Sequence, residues 1–408
     1  MRVSSLIRRT LGLKGHHVEK VREVGDEIVA ELVANKRSRP ICSSCGRKMP
    51  GYDTLSMRRW RHVPVWGKTV TLNYRPRRGS CSRCGVTVER MPWNSGKSRL
   101  SLPLIVVLAT YAKILSFEEV ARLCSVHWNT VRAAVKAAVD YGLEHRDTTG
   151  VIAIGTDEIS RRKGHTYVTM VYDLSHMRLL WCGDGRELAT LKAFFSYWGK
   201  ERCEAIKAVC MDMLPGYERA VAESVPHAVI VFDKFHIAQQ LMRAVDTVRK
   251  EEARKLREQG VDVLKKTKYI WLKNPWNLTE NQRLKLSELE KMNLKVNRAY
   301  MLKEGFRNFW DYTYRANAKK YLDWWLWRAT HSRLEPLRDF AWMIRRHEEE
   351  ILNYFKVPIT NAAVEGMNRK AKVVSQRAYG YRTFGTFRLA LYHVMGDLPM
   401  PETTHRFV

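Results

Sequence analysis

The pattern of apolar and polar positions predicts three helices before residue 148. Leu102–Leu115 has helical spacing, and Ser116 with Glu119 forms the signature of a capping box that opens a second helix. A short turn at 125–127 leads to a third helix that begins at Trp128. Two short helices joined by a tight turn predict a helix-turn-helix, although an ordinary helical hairpin has the same pattern. In a helix-turn-helix, the residues that face DNA would be Trp128, Asn129, Thr130 and Arg132.

The pattern changes after residue 150 to apolar runs that alternate with amphipathic stretches. Three consecutive strands with short turns predict an antiparallel meander, and two further strands linked by helices predict parallel pairing beside it. This order is that of a ribonuclease-H-like mixed sheet in an α/β protein. The predicted elements are strands at 151–156, 165–172 and 179–182, a helix at 188–198, a strand at 205–211, a helix at 217–225 and a strand at 228–232.

The segment between His236 and Thr360 predicts an all-helical insertion in the domain that holds this sheet. Its seven tryptophans are expected to pack between helices, the alternative being that one of them stacks on a distorted base. The amphipathic stretches are Ala238–Glu258, Thr279–Lys291, Lys295–Lys303 and Leu334–Ile351.

Four of the eight cysteines form two tight pairs, Cys42-x-x-Cys45 and Cys81-x-x-Cys84. Thiolates at this spacing reach one ion, so the pairs predict a four-cysteine Zn²⁺ site in a zinc ribbon with a hairpin inserted between its knuckles. Four protein ligands leave no open position for chemistry, so the zinc is expected to be structural.

The charge of the chain indicates a polyanionic partner. The 408 residues include 71 Lys or Arg and 42 Asp or Glu, a net charge of +29. Residues 1–100 hold 22 of the cations and 7 of the acids, and their basic blocks alternate with aromatics, which suits binding to nucleic acid. The arginines predicted to contact DNA here are Arg58, Arg59, Arg75, Arg77 and Arg78.

The apolar runs argue against a membrane protein. Leu102–Leu115 is the most apolar run; it is interrupted by Lys113 and is shorter than the roughly 20 residues of a spanning helix. The N-terminus lacks an apolar core of signal-peptide length, so a cytoplasmic, nucleoid-associated bacterial protein without a membrane partner is expected.

Two acidic residues follow buried strands of the predicted sheet. Asp157 closes the first strand and Asp212 closes the fourth, and these two strands are neighbours in such a fold. Two adjacent carboxylates repel unless a cation lies between them, and carboxylate oxygens suit Mg²⁺ or Mn²⁺. Glu365 is the candidate third carboxylate, on a helix that Thr360 or Asn361 would cap.

These motifs together resemble the ISL3 family of bacterial insertion-sequence transposases over essentially the whole chain. The resemblance is carried by the two cysteine pairs and by the segments 155–160, 211–217, 232–236 and 360–366. It implies a DDE transposase in which Asp157, Asp212 and Glu365 bind the catalytic metal. It also implies that the zinc ribbon and helix-turn-helix bind terminal inverted repeats, and that Asp233 and His236 form an accessory motif near the active site.

The domain organisation follows from these elements. We expect a basic zinc ribbon at 1–98, a helix-turn-helix at 99–148, the first part of the catalytic domain at 149–240, the helical insertion at 241–355 and the last part of the catalytic domain at 356–408. In the last part, Arg377 and Arg382 would hold DNA at the active site, unless the segment only completes the fold.

The leading hypothesis is a DNA transposase that binds double-stranded DNA, cuts the ends of its element and joins them to a target by two-metal-ion chemistry. One alternative is a DNA-binding regulator with a silent nuclease-like domain, and another is a structure-specific nuclease. Because two DNA ends must be handled together, a homodimer or larger assembly is expected.

Overall fold

A computed structural model describes residues 3–94, 96–162, 166–357 and 362–401. The chain forms a mixed α/β structure that divides into two compact units. Residues 1–148 and 370–408 make up the first unit, and residues 149–369 make up the second. Among the described residues, no helix is long and apolar enough to cross a membrane.

The first unit begins with a helix and two β-sheets. Helix α1 (Val3–Thr10) precedes a four-stranded sheet with the order β1-β2-β5-β4 and a three-stranded sheet with the order β3-β6-β7. Trp60, Leu72 and Trp93 are buried in the core beside the larger sheet. The strands are β1 (His16–Val24), β2 (Glu27–Ala34), β3 (Gly51–Thr54), β4 (Arg58–Val65), β5 (Lys68–Tyr74), β6 (Arg77–Cys81) and β7 (Gly85–Val88).

The hairpin predicted between the cysteine pairs is formed by the antiparallel strands β4 and β5. Its second strand, β5, also pairs in parallel with β2, with Val70 opposite Ile28. Both residues are buried in one apolar cluster. Burial of that cluster joins the hairpin to the larger sheet.

Three helices follow in the first unit: α2 (Leu102–Ala112), α3 (Phe117–Leu123) and α4 (Trp128–His145). The predicted capping box of α3 is confirmed, since Ser116 Oγ accepts from the Glu119 amide and the Glu119 carboxylate accepts from the Ser116 amide. On α4, Trp128 and Asn129 are exposed.

The second unit is built on a five-stranded mixed sheet with the order β10-β9-β8-β11-β12. The first three strands form an antiparallel meander, and β11 lies parallel to both β8 and β12, as the sequence predicted. Its elements are β8 (Ala153–Arg162), β9 (Thr166–Asp173), β10 (Arg178–Asp184), α5 (Leu188–Trp198), α6 (Lys200–Glu204), β11 (Ala208–Met211), α7 (Pro215–Ser224) and β12 (Val229–Phe232).

The prediction that Asp157 closes the first strand of this sheet is wrong. β8 continues to Arg162 because its second half still pairs with β9, where Asp157 lies opposite Met170. The parallel pairing of β8 with β11 does end near Asp157, and its last residue pair is Gly155 with Cys210.

The residues from β12 to 357 are helical apart from short turns, as predicted for the insertion. Trp271 and Trp325 are buried between these helices, but Trp276, Trp324, Trp327 and Trp342 are exposed, so the expectation of packing is wrong for these four. The helices are α8 (Lys234–Glu258), α9 (Lys268–Leu272), α10 (Glu280–Glu290), α11 (Lys295–Arg307), α12 (Arg315–Thr330), α13 (Glu335–Arg346) and α14 (Glu348–Leu352), followed along the chain by α15 (Ala362–Arg377) and α16 (Phe384–Met395).

Candidate active site

Strand register brings the two predicted catalytic aspartates together. Gly155 on β8 pairs with Cys210 on β11, and Asp157 and Asp212 each lie two residues beyond that pair. Ligand atoms of Asp157, Asp212 and His236 all lie within 4.8 Å of one another. The convergence therefore depends on register, although only Asp212 follows the end of a strand.

His236 lies against two carboxylates. Asp233 caps the start of α8 by accepting from the Phe235 amide at 2.7 Å. One turn later, His236 Nδ1 lies 2.5 Å from an Asp212 oxygen and 2.8 Å from an Asp233 oxygen. Burial by itself lowers the pKa of His236, but the hydrogen bonds and charges of the two aspartates raise it to about 10. The imidazolium thus holds Asp212 in place.

The electrostatics of the pair favour a bound cation. Burial, with the charge of Asp212 added, raises the pKa of Asp157 to about 7. Burial likewise raises the pKa of Asp212. Ionised carboxylates here are costly unless positive charge faces them, and their oxygens are the hard ligands that Mg²⁺ or Mn²⁺ prefers. The donor set therefore fits a divalent ion.

Two residues that the sequence did not single out orient Asp157. Tyr172, which is fully buried, donates to Asn368 Oδ1 at 2.7 Å, and Asn368 Nδ2 donates to Asp157 Oδ2. Because an ionised carboxylate only accepts, the amide must present its nitrogen to Asp157. The available signal in the sequence was an Asn three residues after Glu365, but the local sequence does not say which strand that Asn contacts.

Glu365 lies outside the group formed by Asp157, Asp212 and His236. Its side chain is exposed and lies 3.5 Å from Arg369. However, it precedes Asn368 by one helical turn on α15. The predicted caps of this helix, Thr360 and Asn361, fall outside the described residues.

The start of α15 packs on β8. A Cβ atom added at Gly155 would lie 2.6 Å from Val364 Cγ2, so the two elements are in close contact. The helix therefore carries Glu365 near the strand that carries Asp157.

The four predicted zinc ligands are also brought together. Ligand atoms of Cys42, Cys45, Cys81 and Cys84 all lie within 4.8 Å of one another. A hydrogen bond with Thr87 is the main cause that lowers the pKa of Cys42 to about 6, which favours the thiolate that zinc requires. Four soft ligands at this spacing fit a tetrahedral Zn²⁺.

Several of the arginines predicted to contact DNA bond to the protein itself. Arg59 pairs with Glu27, Arg77 with Glu89 and Arg78 with Asp53. Arg132 Nε donates to Thr386 Oγ1 at 3.2 Å, and Arg377 Nη1 donates to the Lys113 carbonyl at 2.8 Å. In the described part of the chain, Arg58 and Arg75 form no ion pair. Thr130 is half-buried and Arg382 is exposed.

Comparisons with known proteins match the parts of the chain that hold the two ligand clusters. The ISL3 transposase family model matches residues 154–391. The model for the zinc finger of transposases IS204, IS1001, IS1096 and IS1165 matches residues 38–84. The chain is 30% identical to the transposase for insertion sequence element IS1001 of Bordetella parapertussis over 377 residues, 91% of this chain and 93% of that protein.

A second relative extends the match along the chain. Identity to the transposase for insertion sequence element IS1557 of Mycobacterium tuberculosis (strain ATCC 25618 / H37Rv) is 30% over 442 aligned positions, covering 99% of this chain and 98% of that protein. These matches and the two ligand clusters define the class of protein, an insertion-sequence transposase with a four-cysteine zinc ribbon. Within that class, the chain belongs to the ISL3 family.

Proposed function

We propose that the protein binds the terminal inverted repeats of its insertion sequence, cleaves DNA there and joins the freed ends to target DNA. The observation that carries this proposal is the register of β8 and β11, which puts Asp157 and Asp212 side by side with His236. Divalent ions bound to these carboxylates would activate the attacking hydroxyl and stabilise the leaving oxygen.

Each residue of the candidate active site would have its own role in this reaction. Asp157 and Asp212 hold the metal ions, and Glu365 completes the ligand set from the first turns of α15. His236 and Asp233 orient Asp212, while Asn368 orients Asp157. The five-stranded sheet would act as a ribonuclease-H-like catalytic domain, into which α8–α14 are inserted.

The first unit would bind the DNA ends. Helices α3 and α4 with their tight turn serve as the helix-turn-helix, and the exposed Trp128 and Asn129 at the start of α4 contact bases. Thr130 and Arg132 follow them on the same helix. Arg58, Arg75 and Arg382 would contact phosphates. A dimer would bring two ends together for joining.

The test is strand cleavage of a labelled duplex that carries the terminal sequence of the encoding element, with Mg²⁺ or Mn²⁺. Asp157→Ala, Asp212→Ala and Glu365→Gln are each expected to lower the rate at least about 100-fold, because losing even an outer partner of a metal ligand costs about 10–100-fold. Glu204→Ala, at an exposed acid of the same unit, is the matched control and should cleave normally.

The pattern of products separates the alternatives. Cleavage that survives in the Asp157 and Asp212 variants would refute the assignment of the active site. Binding by the wild-type protein with no cleavage in either metal would instead support a regulator. Cleavage without joined strand-transfer products would support a nuclease.

A further inference from the structure

A large groove in the first unit is lined mostly by cations that the sequence motifs did not single out. Its volume is about 2430 Å³, and nine Lys or Arg residues line it against one acid, Glu89. Seven of the cations are exposed, and they come from separate segments that the fold brings together. These seven are Lys14, Arg37, Arg39, Lys48, Arg90, Lys97 and Arg99.

The single acid does not neutralise this charge. Glu89 is only 2% exposed and accepts hydrogen bonds from Tyr74 and from the Arg77 side chain and amide. Burial opposes its ionisation, yet hydrogen bonds with His16, Arg77 and Tyr74 outweigh that effect and lower the pKa of Glu89 to about 2. Arg77 and Glu89 therefore compensate each other, and the positive charge of the other lining residues stays available.

Most of the groove cations differ from the arginines that the sequence pointed to, of which Arg58 and Arg77 also line the groove. Arg59 and Arg78 are bound to Glu27 and Asp53. Among the residues that the structure describes, Lys48, Arg90 and Lys97 form no ion pair. Like charges that line one groove repel each other, and a bound anion would relieve this repulsion.

The size of the groove indicates a polymer. Pockets for small ligands have volumes of roughly 300–1,000 Å³. The groove is more than twice as large, and its cations are spread over several elements. A chain of phosphates fits this distribution better than one compact anion does.

The aromatic residues of the groove favour duplex DNA over a single strand. Single-strand sites stack bases on exposed aromatic rings. Here Trp60 is 1% exposed, and the Tyr141 ring is already stacked on His145 at 4.0 Å between centroids. The groove thus offers cations to a phosphate backbone without surfaces on which bases could stack.

Helix α4 connects the groove to the proposed base-reading residues. Ala133, Ala137 and Tyr141 line the groove and recur every four residues along one face of α4. Asn129, four residues before Ala133, lies on the same face at the start of the helix. The small alanine side chains allow a DNA backbone to approach closely.

We propose that this groove binds the phosphate backbone of duplex DNA that flanks the base pairs contacted by the start of α4. The inference rests on the proposed function, in which the first unit binds the ends of the element. It assigns the main phosphate contacts to Lys48, Arg90, Lys97 and their neighbours. The ion-paired Arg59, Arg77 and Arg78 have no main part in them.

The test compares two triple variants of the full chain with equal loss of charge. Lys48→Ala/Arg90→Ala/Lys97→Ala removes groove cations, and Lys20→Ala/Lys36→Ala/Arg83→Ala removes exposed cations of the same unit outside the groove. Fluorescence anisotropy with a labelled 30-base-pair duplex of arbitrary sequence gives the affinity at several NaCl concentrations. Zinc content and the thermal unfolding midpoint verify that each variant is folded.

The salt dependence reports the number of phosphate contacts. Each contact contributes about 0.9 to the slope of log affinity against log salt, so three lost contacts lower the slope by about 2.7. Between 50 and 200 mM NaCl, the wild-type protein should then lose about 40-fold more affinity than the groove variant does. The control variant is expected to keep a slope within about 1 of wild type.

The outcomes separate a failure of the groove proposal from a failure of the proposed function. Equal slopes of log affinity against log salt for the two triple variants would contradict DNA binding by the groove. They would not contradict the proposal that the protein is a DNA-cleaving transposase. Loss of single-strand binding with unchanged duplex binding would also overturn the groove proposal. A wild-type protein that neither binds duplex DNA nor cleaves the terminal sequence would refute the proposed function itself.

Discussion

The two groups of metal-ligating side chains differ in how the chain assembles them. The cysteine group comes from two short loops, and Gly46 and Gly85 after each pair adopt φ angles of 74° and 72° that form the knuckles. Its four thiol ligands fill a tetrahedral site. The carboxylate group comes from β8, the end of β11 and α8, and burial raises the pKa of both its aspartates, so their ionised form is costly without a cation. One cluster stabilises the fold, and the other is destabilising without its ion.

The buried His62 and the half-buried His236 show the same contrast. His62 lies 2.8 Å from Ser101 Oγ and 3.1 Å from Thr10 Oγ1, both uncharged, so burial lowers its pKa to about 4. His236 faces two aspartates, which overcome burial and raise its pKa to about 10. The charge of the partners, more than the degree of burial, decides which histidine is protonated at neutral pH.

The largest difference between the two clusters should appear when one ligand of each is substituted and the unfolding temperatures are compared. Cys42→Ser is expected to lose zinc and to lower the unfolding temperature strongly, because structural zinc contributes about 10–16 kcal/mol of binding free energy in small domains. Asp157→Asn should abolish cleavage but unfold at the same or a higher temperature without added Mg²⁺, since it removes a costly buried charge. Calorimetry measures the unfolding temperatures and zinc analysis measures the metal content. A strongly destabilised Asp157→Asn protein would contradict the view that the carboxylate cluster is destabilising without its ion.

A smaller effect should follow from the residues that orient Asp157. Asn368→Ala is expected to weaken Mn²⁺ binding about 10–100-fold, and Tyr172→Phe by less, because outer partners hold metal ligands in position. Electron paramagnetic resonance of free Mn²⁺ measures the affinity directly. Asn353→Ala is the matched control, since Asn353 is also 8% exposed but donates to the Ile230 carbonyl. Equal Mn²⁺ affinities in the Asn353 and Asn368 variants would contradict an orienting role for Asn368.

The smallest effect concerns His62 and pH. Its pKa falls from 6.5 in the unfolded chain to about 4 in the folded protein, so between these values the unfolded chain binds the extra proton. The free energy of unfolding should therefore decrease as pH falls from 6.5 towards 4, by about 1–2 kcal/mol at pH 5.

The control for this pH effect is His62→Gln, which lacks the titrating group. Zinc loss at low pH affects both proteins alike, so the informative quantity is the difference in free energy of unfolding between wild type and His62→Gln at pH 7 and at pH 5. A difference that stays constant would contradict a neutral buried His62.

Much of the fold could be predicted from local pattern. The capping box at Ser116 and the helix at Leu188–Trp198 were readable because neighbouring residues decide them. The strands β1 and β2 were missed, and the parallel pairing of β2 with β5 could not be predicted, because partner choice between distant strands leaves no local signal. The length of β8 was misjudged for the same reason, since its pairing with β9 extends it past Asp157.

The sequence by itself determined the chemistry that is available: four thiols in two pairs, acids next to apolar runs, and a large excess of cations. Those properties belong to residue types and to short spacings, which the chain carries before it folds. Only the tertiary structure decided that Asn368 meets Asp157, that Arg59 and Arg78 are bound to acids, and that Lys48 and Arg90 share one groove. Each of these outcomes depends on which distant segments pack together, and that choice is made by burial and register over the whole fold.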